Sequence, residues 1–559
     1  MQTTDPAKSA YFREKGWWGN TTFTSLMDEA ILGAPDRVAL IDPLNRAVIT
    51  GGTQCRLTYT DVSRLADFLA HRFREKGIGQ GDKVIVQLPN IAELVISYLA
   101  LDRLGAILSP VPMQYGRFEL SHAAQETEAD AYLTVADFNG KNYLENRLTA
   151  FPAKTKLFTF AAEPKENYIT VPYFSDISPE TLEGQAVFDR AISSADDIYT
   201  ICWTSGTTGV PKGVPRHHNH WLSQVYAVRD AAPVDDGAVM LNPFPLTNMG
   251  AISGFLYYWP MAKACLVLHH PFDLQLFLTQ IMQEKVSYTI APPAVLSMFL
   301  QHTELHDKVD LSHVRYIASG SAPISPAVTK GFKELFDVEI VNFFGSNEGA
   351  GLVGGPVDVP DTEVRATMFP RFGRPEIKWS NRFAARSRTK LVDWQNGDRE
   401  ITSAKETGEL LVTGPNVFDG YLGDIPNNPA VFDPEGYFRT GDLFQISDDG
   451  RFYIFVGRRK ELIIRGGMNI SPEELDTVVG DHPYITEAAV VGYPDDVMGE
   501  KVAAVIVTSQ TDFTLETLKA YLAERGVAKY KWPEKLVITN ALPRNAMNKV
   551  VRQQLSDFL

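Results

Sequence analysis

The sequence predicts an α/β protein: a large N-terminal domain of α/β subdomains ending in a small β subdomain, then a small mobile α+β C-terminal domain. Three observations carry this expectation. From about residue 57 to residue 343, helical periodicity alternates with short apolar runs, as buried and largely parallel strands require. Near residue 406 the rhythm changes to alternating strands separated by Gly, Asp and Pro turns, which reads as antiparallel sheet. A charged stretch, Gly457-Arg-Arg-Lys-Glu-Leu-Ile-Ile-Arg-Gly-Gly467, then separates that region from a last helix–strand–strand–helix series. With 559 residues, more than one core is expected.

The elements follow in order. Residues 59–75 set Val62, Leu65, Ala66, Leu69 and Phe73 on one helical face. Residues 83–88 and 106–111 read as strands around a helix at 91–104. A short strand rich in β-formers is expected at 197–203, and the helix–strand rhythm recurs with strands at 264–269, 287–290, 314–318 and 339–343. Residues 408–413 and 451–456 are the antiparallel strands. Ser471-Pro-Glu-Glu has the N-cap, early proline and acidic first turn of a helix start, so 472–479 is helical. Strands at 488–493 and 501–508 and a helix at 515–525 complete the chain.

Composition excludes several functions. Apolar content of 44% and charged content of 22% are ordinary for a globular protein. A net charge of −15 argues against nucleic-acid binding. Cys55, Cys202 and Cys265 have no metal or redox spacing and read as reduced core residues. The N-terminus lacks a signal-peptide pattern, and the apolar run 254–262 is too short to span a bilayer, so a cytoplasmic location is expected.

The chemistry concentrates in Thr204-Ser-Gly-Thr-Thr-Gly-Val-Pro-Lys-Gly213. Glycines let backbone N–H groups turn toward an anion, hydroxyls add donors, and Lys212 adds a cation, a combination suited to polyphosphate. The spacing departs from G-x-x-x-x-G-K-[ST], so this is not the usual P-loop. His217-His-Asn-His220 lacks the i, i+4 spacing of a helical zinc pair and reads as structural.

That stretch resembles the phosphate loop of the adenylate-forming (AMP-binding) superfamily, of acyl-CoA synthetase type. Asn342-Phe-Phe-Gly-Ser-Asn-Glu348, Tyr437-Phe-Arg-Thr-Gly-Asp442, Gly457-Arg-Arg-Lys460, Gly466-Gly-Met-Asn-Ile470 and Pro543-Arg-Asn-Ala-Met-Asn-Lys549 resemble its further motifs, in the family's order. The resemblance implies the adenylate-forming fold, with an adenylation domain at 1–457, a hinge at 458–460 and a mobile domain at 461–559. It implies ATP, Mg²⁺ and coenzyme A as cofactors, a small carboxylic acid as substrate, and a two-step reaction through an acyl-adenylate. A carrier protein as thiol acceptor and a homodimer are both compatible with it.

Site roles follow from the same resemblance. Thr204, Ser205, Gly206, Thr207, Thr208, Gly209 and Lys212 would cradle the phosphates, with Glu348 and Thr208 at the metal. Gly320, Ser321, Ala322, Pro323, Asn342, Phe343, Phe344, Gly345, Ser346 and Asn347 would surround the nucleotide, with Phe344 on the adenine and Asn342 reading its exocyclic amine. Asp442 would accept from the ribose hydroxyls, with Arg458 nearby. Lys549, Glu348 and Lys212 would carry the chemistry. Asn248, Met249, Gly250, Ser319, Gly320 and Gly349 would border the acid, Gly466, Gly467 and Met468 the thiol channel, and Lys460 would be the hinge.

Three positions depart from the family pattern. Asn347 stands where threonine is usual, Asn548 where glycine precedes the lysine, and Pro245-Leu-Thr-Asn-Met-Gly250 where many members have Phe-His. The chain looks closest to cyclohexanecarboxylate-type CoA ligases and to free-standing aryl-acid (2,3-dihydroxybenzoate) AMP ligases. Thr247-Asn-Met-Gly-Ala-Ile-Ser-Gly254 is less polar than the aryl-acid signature, which favours a less hydroxylated ring, or a medium-chain acid. No carrier-like segment occurs in the sequence, which favours free CoA.

Overall fold

Two sheets of mostly parallel strands carry the N-terminal part of the molecule. The computed structural model describes the chain apart from residues 1–3, 146, 185, 205–210, 321, 397, 424–427, 429, 466–467, 496 and 546–548, and gives backbone alone at 179, 468 and 469. One sheet has seven strands in the order Lys212–His217, Ile198–Thr204, Ile107–Pro110, Lys83–Gln87, Ala131–Val135, Lys156–Phe160, Ile169–Val171. Its pairs are parallel except the first, where Thr204 faces Lys212 and Trp203 faces Gly213. The glycine-rich stretch therefore joins two antiparallel strands, unlike a P-loop, which feeds a helix.

The other sheet has eight strands: Gly351–Gly354, Glu339–Gly345, Tyr316–Gly320, Tyr288–Ile290, Val239–Asn242, Cys265–Leu268, Val38–Ile41 and Arg56–Thr58. Only the two edge pairs are antiparallel. Every residue of helix Ala92–Leu104 is buried, which is why its hydrophobic stripe has no polar counterpart. Helix Tyr59–Glu75 is one-sided, with Val62, Leu65, Leu69 and Phe73 inside and a capping box between Thr58 and Asp61 fixing its start.

The antiparallel sheet has six strands and begins at Met368–Pro370, well before the change of rhythm seen near residue 406. Strands Phe438–Ile446 and Phe452–Arg458 lie side by side in it. The last part of the chain forms a five-stranded sheet with Pro472–Gly480 and Leu515–Glu524 as helices. Its core, including Leu475, Val490, Val502 and Leu518, is separate from the main one. Strand Lys535–Ile538 runs parallel to Gly499–Val507 and was not expected. Among the described residues no helix is long and apolar enough to cross a membrane.

Candidate active site

A cavity of about 970 Å³ opens beyond the carboxyl ends of the parallel strands, where ligands of open α/β sheets bind. Three regions converge on it. The eight-stranded sheet supplies Gly320, Phe344 and the turn at Asn347 and Glu348; the antiparallel sheet supplies Asp442 and Arg458; the C-terminal segment supplies Lys549.

Strand pairing fixes the anionic and cationic groups. Asp442 faces Arg458 across the ladder, and the guanidinium Nε donates to its carboxylate at 3.0 Å. Burial nevertheless dominates and pushes the Asp442 carboxyl up to about 6, with Arg458 and Lys549 opposing. Enclosure draws the Lys549 ammonium down to about 8, helped by the positive charge of Arg458. Glu348 is 7% exposed, and the Tyr421 hydroxyl donates to its Oε1 at 2.8 Å. The Lys212 ammonium lies 4.6 Å above the Tyr421 ring, so one tyrosine touches both an anion and a cation of the site.

Asn347 joins three segments. Its Oδ1 accepts from the Met249 backbone N–H at 2.8 Å, its Nδ2 donates to the Trp203 carbonyl at 3.2 Å, and its own carbonyl accepts from Arg216 Nη1 at 2.8 Å. The amide at the threonine position is thus engaged with the protein. Arg216, fully buried, also donates to the carbonyls of His220 and Asn416. Two glycines are required by close approach. A Cβ on Gly320 would lie 2.2 Å from the Phe343 carbonyl oxygen. One on Gly349, at φ +96°, would lie 2.0 Å from that of Asn416.

Most of the expected residues described meet at this cavity: Thr204, Lys212, Asn248, Met249, Gly250, Gly320, the run 343–348, Asp442, Arg458, Lys460 and Lys549. Five do not. Asn342 is buried below the strand end and donates its amide to the carbonyls of Arg365 and Ala366, so it does not line the cavity. Ser319 turns its hydroxyl to the Ala291 carbonyl. Ala322 and Pro323 lie exposed, off the cavity lining. Gly349 sits behind the lining, against Asn416. Asn248 lines the cavity but uses its Oδ1 to cap Ala251. Ser205, Gly206, Thr207, Thr208, Gly209, Ser321, Gly466, Gly467 and Asn548 lie outside the described residues, as does the side chain of Met468.

Sequence reasoning missed Tyr421 and Gln224, which also line the cavity. Neither belongs to a motif singled out from the sequence. His217, His220 and Asp419 come within 4.8 Å of one another. The two imidazoles stack face to face with centroids 3.5 Å apart, so their in-plane lone pairs run side by side instead of converging, and Lys8 already pairs with Asp419 at 2.6 Å. Stacking and charge pairing make this a packing cluster.

Residues 27–422 match the family model of the AMP-binding enzyme, and residues 474–549 match that of the AMP-binding enzyme C-terminal domain. The chain belongs to the AMP-binding enzyme family. It is 28% identical to the 2,3-dihydroxybenzoate-AMP ligase of Bacillus subtilis (strain 168), over 98% of this chain and 95% of that protein. It is 29% identical to the salicyl-AMP ligase / salicyl-S-ArCP synthetase of Mycobacterium tuberculosis (strain H37Rv), over 98% and 92%. Among solved structures, the anthranilate CoA ligase AuaEII in complex with anthranoyl-AMP shares the fold, with a TM-score of 0.81, 20% identity and coverage of 96% and 98%. The protein is an adenylate-forming ligase.

Proposed function

We propose that this ligase activates a ring carboxylic acid with ATP and passes the acyl group to a phosphopantetheine thiol. The observation that carries the reading is the gathering of Lys549, Asp442, Arg458, Glu348 and Lys212 around one cavity whose other end is bordered by Asn248, Met249 and Gly250. A carboxylate attacking the α-phosphate brings two anions together, so positioning and charge neutralisation are what the site must supply. Lys549 meets the charge that develops on the α-phosphate and carboxylate oxygens. Asp442 accepts from the ribose hydroxyls, Phe344 packs on the base, and Lys212 faces the outer phosphates. Glu348 offers the hard oxygen that suits Mg²⁺, which would screen the phosphate charge. Lys460, between the antiparallel sheet and the last domain, is the hinge about which the domain turns for thiol transfer.

Coenzyme A is the acceptor this reading takes first. A second reading, transfer to a carrier protein, is supported by the relative named salicyl-S-ArCP synthetase. Incubation with ATP, Mg²⁺ and a panel of aromatic and alicyclic acids, with either CoA or a phosphopantetheinylated carrier protein, tests both. Pyrophosphate release with one or more acids, followed by AMP release with CoA, is expected. AMP release with the carrier alone would select the second reading, and no pyrophosphate with any acid would overturn both.

A further inference from the structure

Two buried donors that line the cavity, the Gln224 Nε2 and the Tyr288 hydroxyl, have no acceptor among the described residues. Gln224, on helix His218–Ala231, is 3% exposed. Asn416 fixes which way its amide points: the Asn416 Nδ2 donates both to the Gly349 carbonyl, which can only accept, and to Gln224 Oε1 at 3.4 Å. The Gln224 Nε2 therefore lies on the other side, and among the described residues nothing accepts from it. It occupies room left by Gly351, where a Cβ would come within 2.9 Å of it.

Tyr288 is the second group. It is 1% exposed, its ring stacks on Phe255 with centroids 5.1 Å apart, and its hydroxyl lies 3.7 Å from where a Cβ on Gly254 would be. That hydroxyl has no hydrogen-bond partner among the described residues either, and burial keeps it un-ionised. Val228, Met249, Ile290 and Ala318 give the cavity apolar lining as well, while Ser253 spends its proton on the Met249 carbonyl at 2.6 Å. The cations of the cavity, Lys212, Arg439, Arg458, Arg459, Lys460 and Lys549, all come from the phosphate strand, the antiparallel sheet, the hinge or the C-terminal segment.

We infer that Gln224 and Tyr288 read a neutral oxygen acceptor on the far end of the acid, so that the substrate is a hydroxy- or oxo-substituted ring acid. This rests on the adenylating role proposed above. A plain hydrocarbon ring would bury both groups unpaired, and a second carboxylate would meet no cation there. Sites built to hydrogen-bond a substrate oxygen reject analogues lacking it strongly, by up to about 10⁴-fold or more. The polarity missing from the 247–254 segment is thereby supplied from a neighbouring helix and strand.

The test compares kcat/KM for pyrophosphate release with 3- and 4-hydroxybenzoate and 4-oxocyclohexanecarboxylate against benzoate, cyclohexanecarboxylate and terephthalate. At least one oxygenated acid is expected to exceed its parent hydrocarbon acid by about 100-fold or more. Gln224→Met and Tyr288→Phe should each cut that ratio by at least about tenfold, while KM for ATP holds and shows that the fold is intact. Should one variant fail to fold, the other decides. Equal use of hydrocarbon and oxygenated acids, preference for the diacid, or a ratio unmoved in the folded variants overturns the inference while leaving the ligase reading standing. Absence of pyrophosphate release with every acid defeats the ligase reading and this inference with it.

Discussion

Replacing Tyr421 by phenylalanine removes a hydroxyl and keeps the ring. The ring remains, so the cation–π contact with Lys212 and the packing against Phe418 survive. What disappears is the hydroxyl that donates to Glu348 Oε1 at 2.8 Å, on a carboxylate only 7% exposed. A hydrogen bond to a charged group contributes about 1.5–3 kcal/mol. At 1.4 kcal/mol per decade, that corresponds to about 10- to 150-fold. If the bond holds Glu348 in place for Mg²⁺, the loss should appear in the magnesium dependence: Y421F needs a higher Mg²⁺ concentration for half-maximal pyrophosphate release, and kcat/KM at limiting Mg²⁺ falls by that factor. The assay is a Mg²⁺ titration at fixed ATP and acid, run beside Glu348→Gln. A Y421F titration curve that overlays the wild type, with Glu348→Gln inactive, would show that the carboxylate needs no such support and refute the argument.

Further outcomes are expected. Lys549→Ala should slow adenylation by about 10²–10³-fold, the cost of removing one preorganised transition-state donor, while thioester formation from supplied acyl-adenylate stays near normal; equal loss in both steps would contradict the role given to this lysine. The pH profile of kcat/KM should be bell-shaped. Asp442 must be ionised to accept two hydroxyls, so activity rises through its value of about 6, and Lys549 must be protonated, so activity falls through about 8. Lys549→Arg should then lift the alkaline limb, and an unchanged limb would assign it to another group. Gly349→Ala should lower the melting temperature clearly, because the new Cβ would meet the Asn416 carbonyl at a backbone φ of +96° that costs about 1–3 kcal/mol before any clash; a wild-type melting curve would mean that this segment yields.

The elements were legible where pattern and length agree. Helix Tyr59–Glu75 has the bounds its periodicity predicts, and Lys83–Gln87 and Ile107–Pro110 fall within one residue or so of expectation because β-rich runs end at Gly or Pro. The antiparallel sheet starts earlier than its pattern suggested, because Met368–Pro370 is short and Arg388–Asp393 mixes polar with apolar side chains. Lys549, Asp442 and Glu348 were legible as candidates, since each stands in a motif, and all three line the cavity. Asn342 was misplaced by reasoning from motif position alone, which does not say on which face of a strand a side chain points. Gln224 and Tyr421 could not be read ahead of the structure. Each reaches the cavity through tertiary packing, one from a helix beyond the phosphate strand and one from an irregular segment.

The three-way attachment of Asn347 bears on how the two substrates feel each other. One side chain holds the backbone that starts the acid-side helix at Met249 and the backbone that ends the phosphate-side strand at Trp203. A planar amide cannot move toward one of these without drawing away from the other. If filling one half of the cavity shifts this amide, the other half must shift with it. Linkage requires the resulting factor to be mutual: whatever the acid does to the affinity for ATP, ATP does in equal measure to the affinity for the acid.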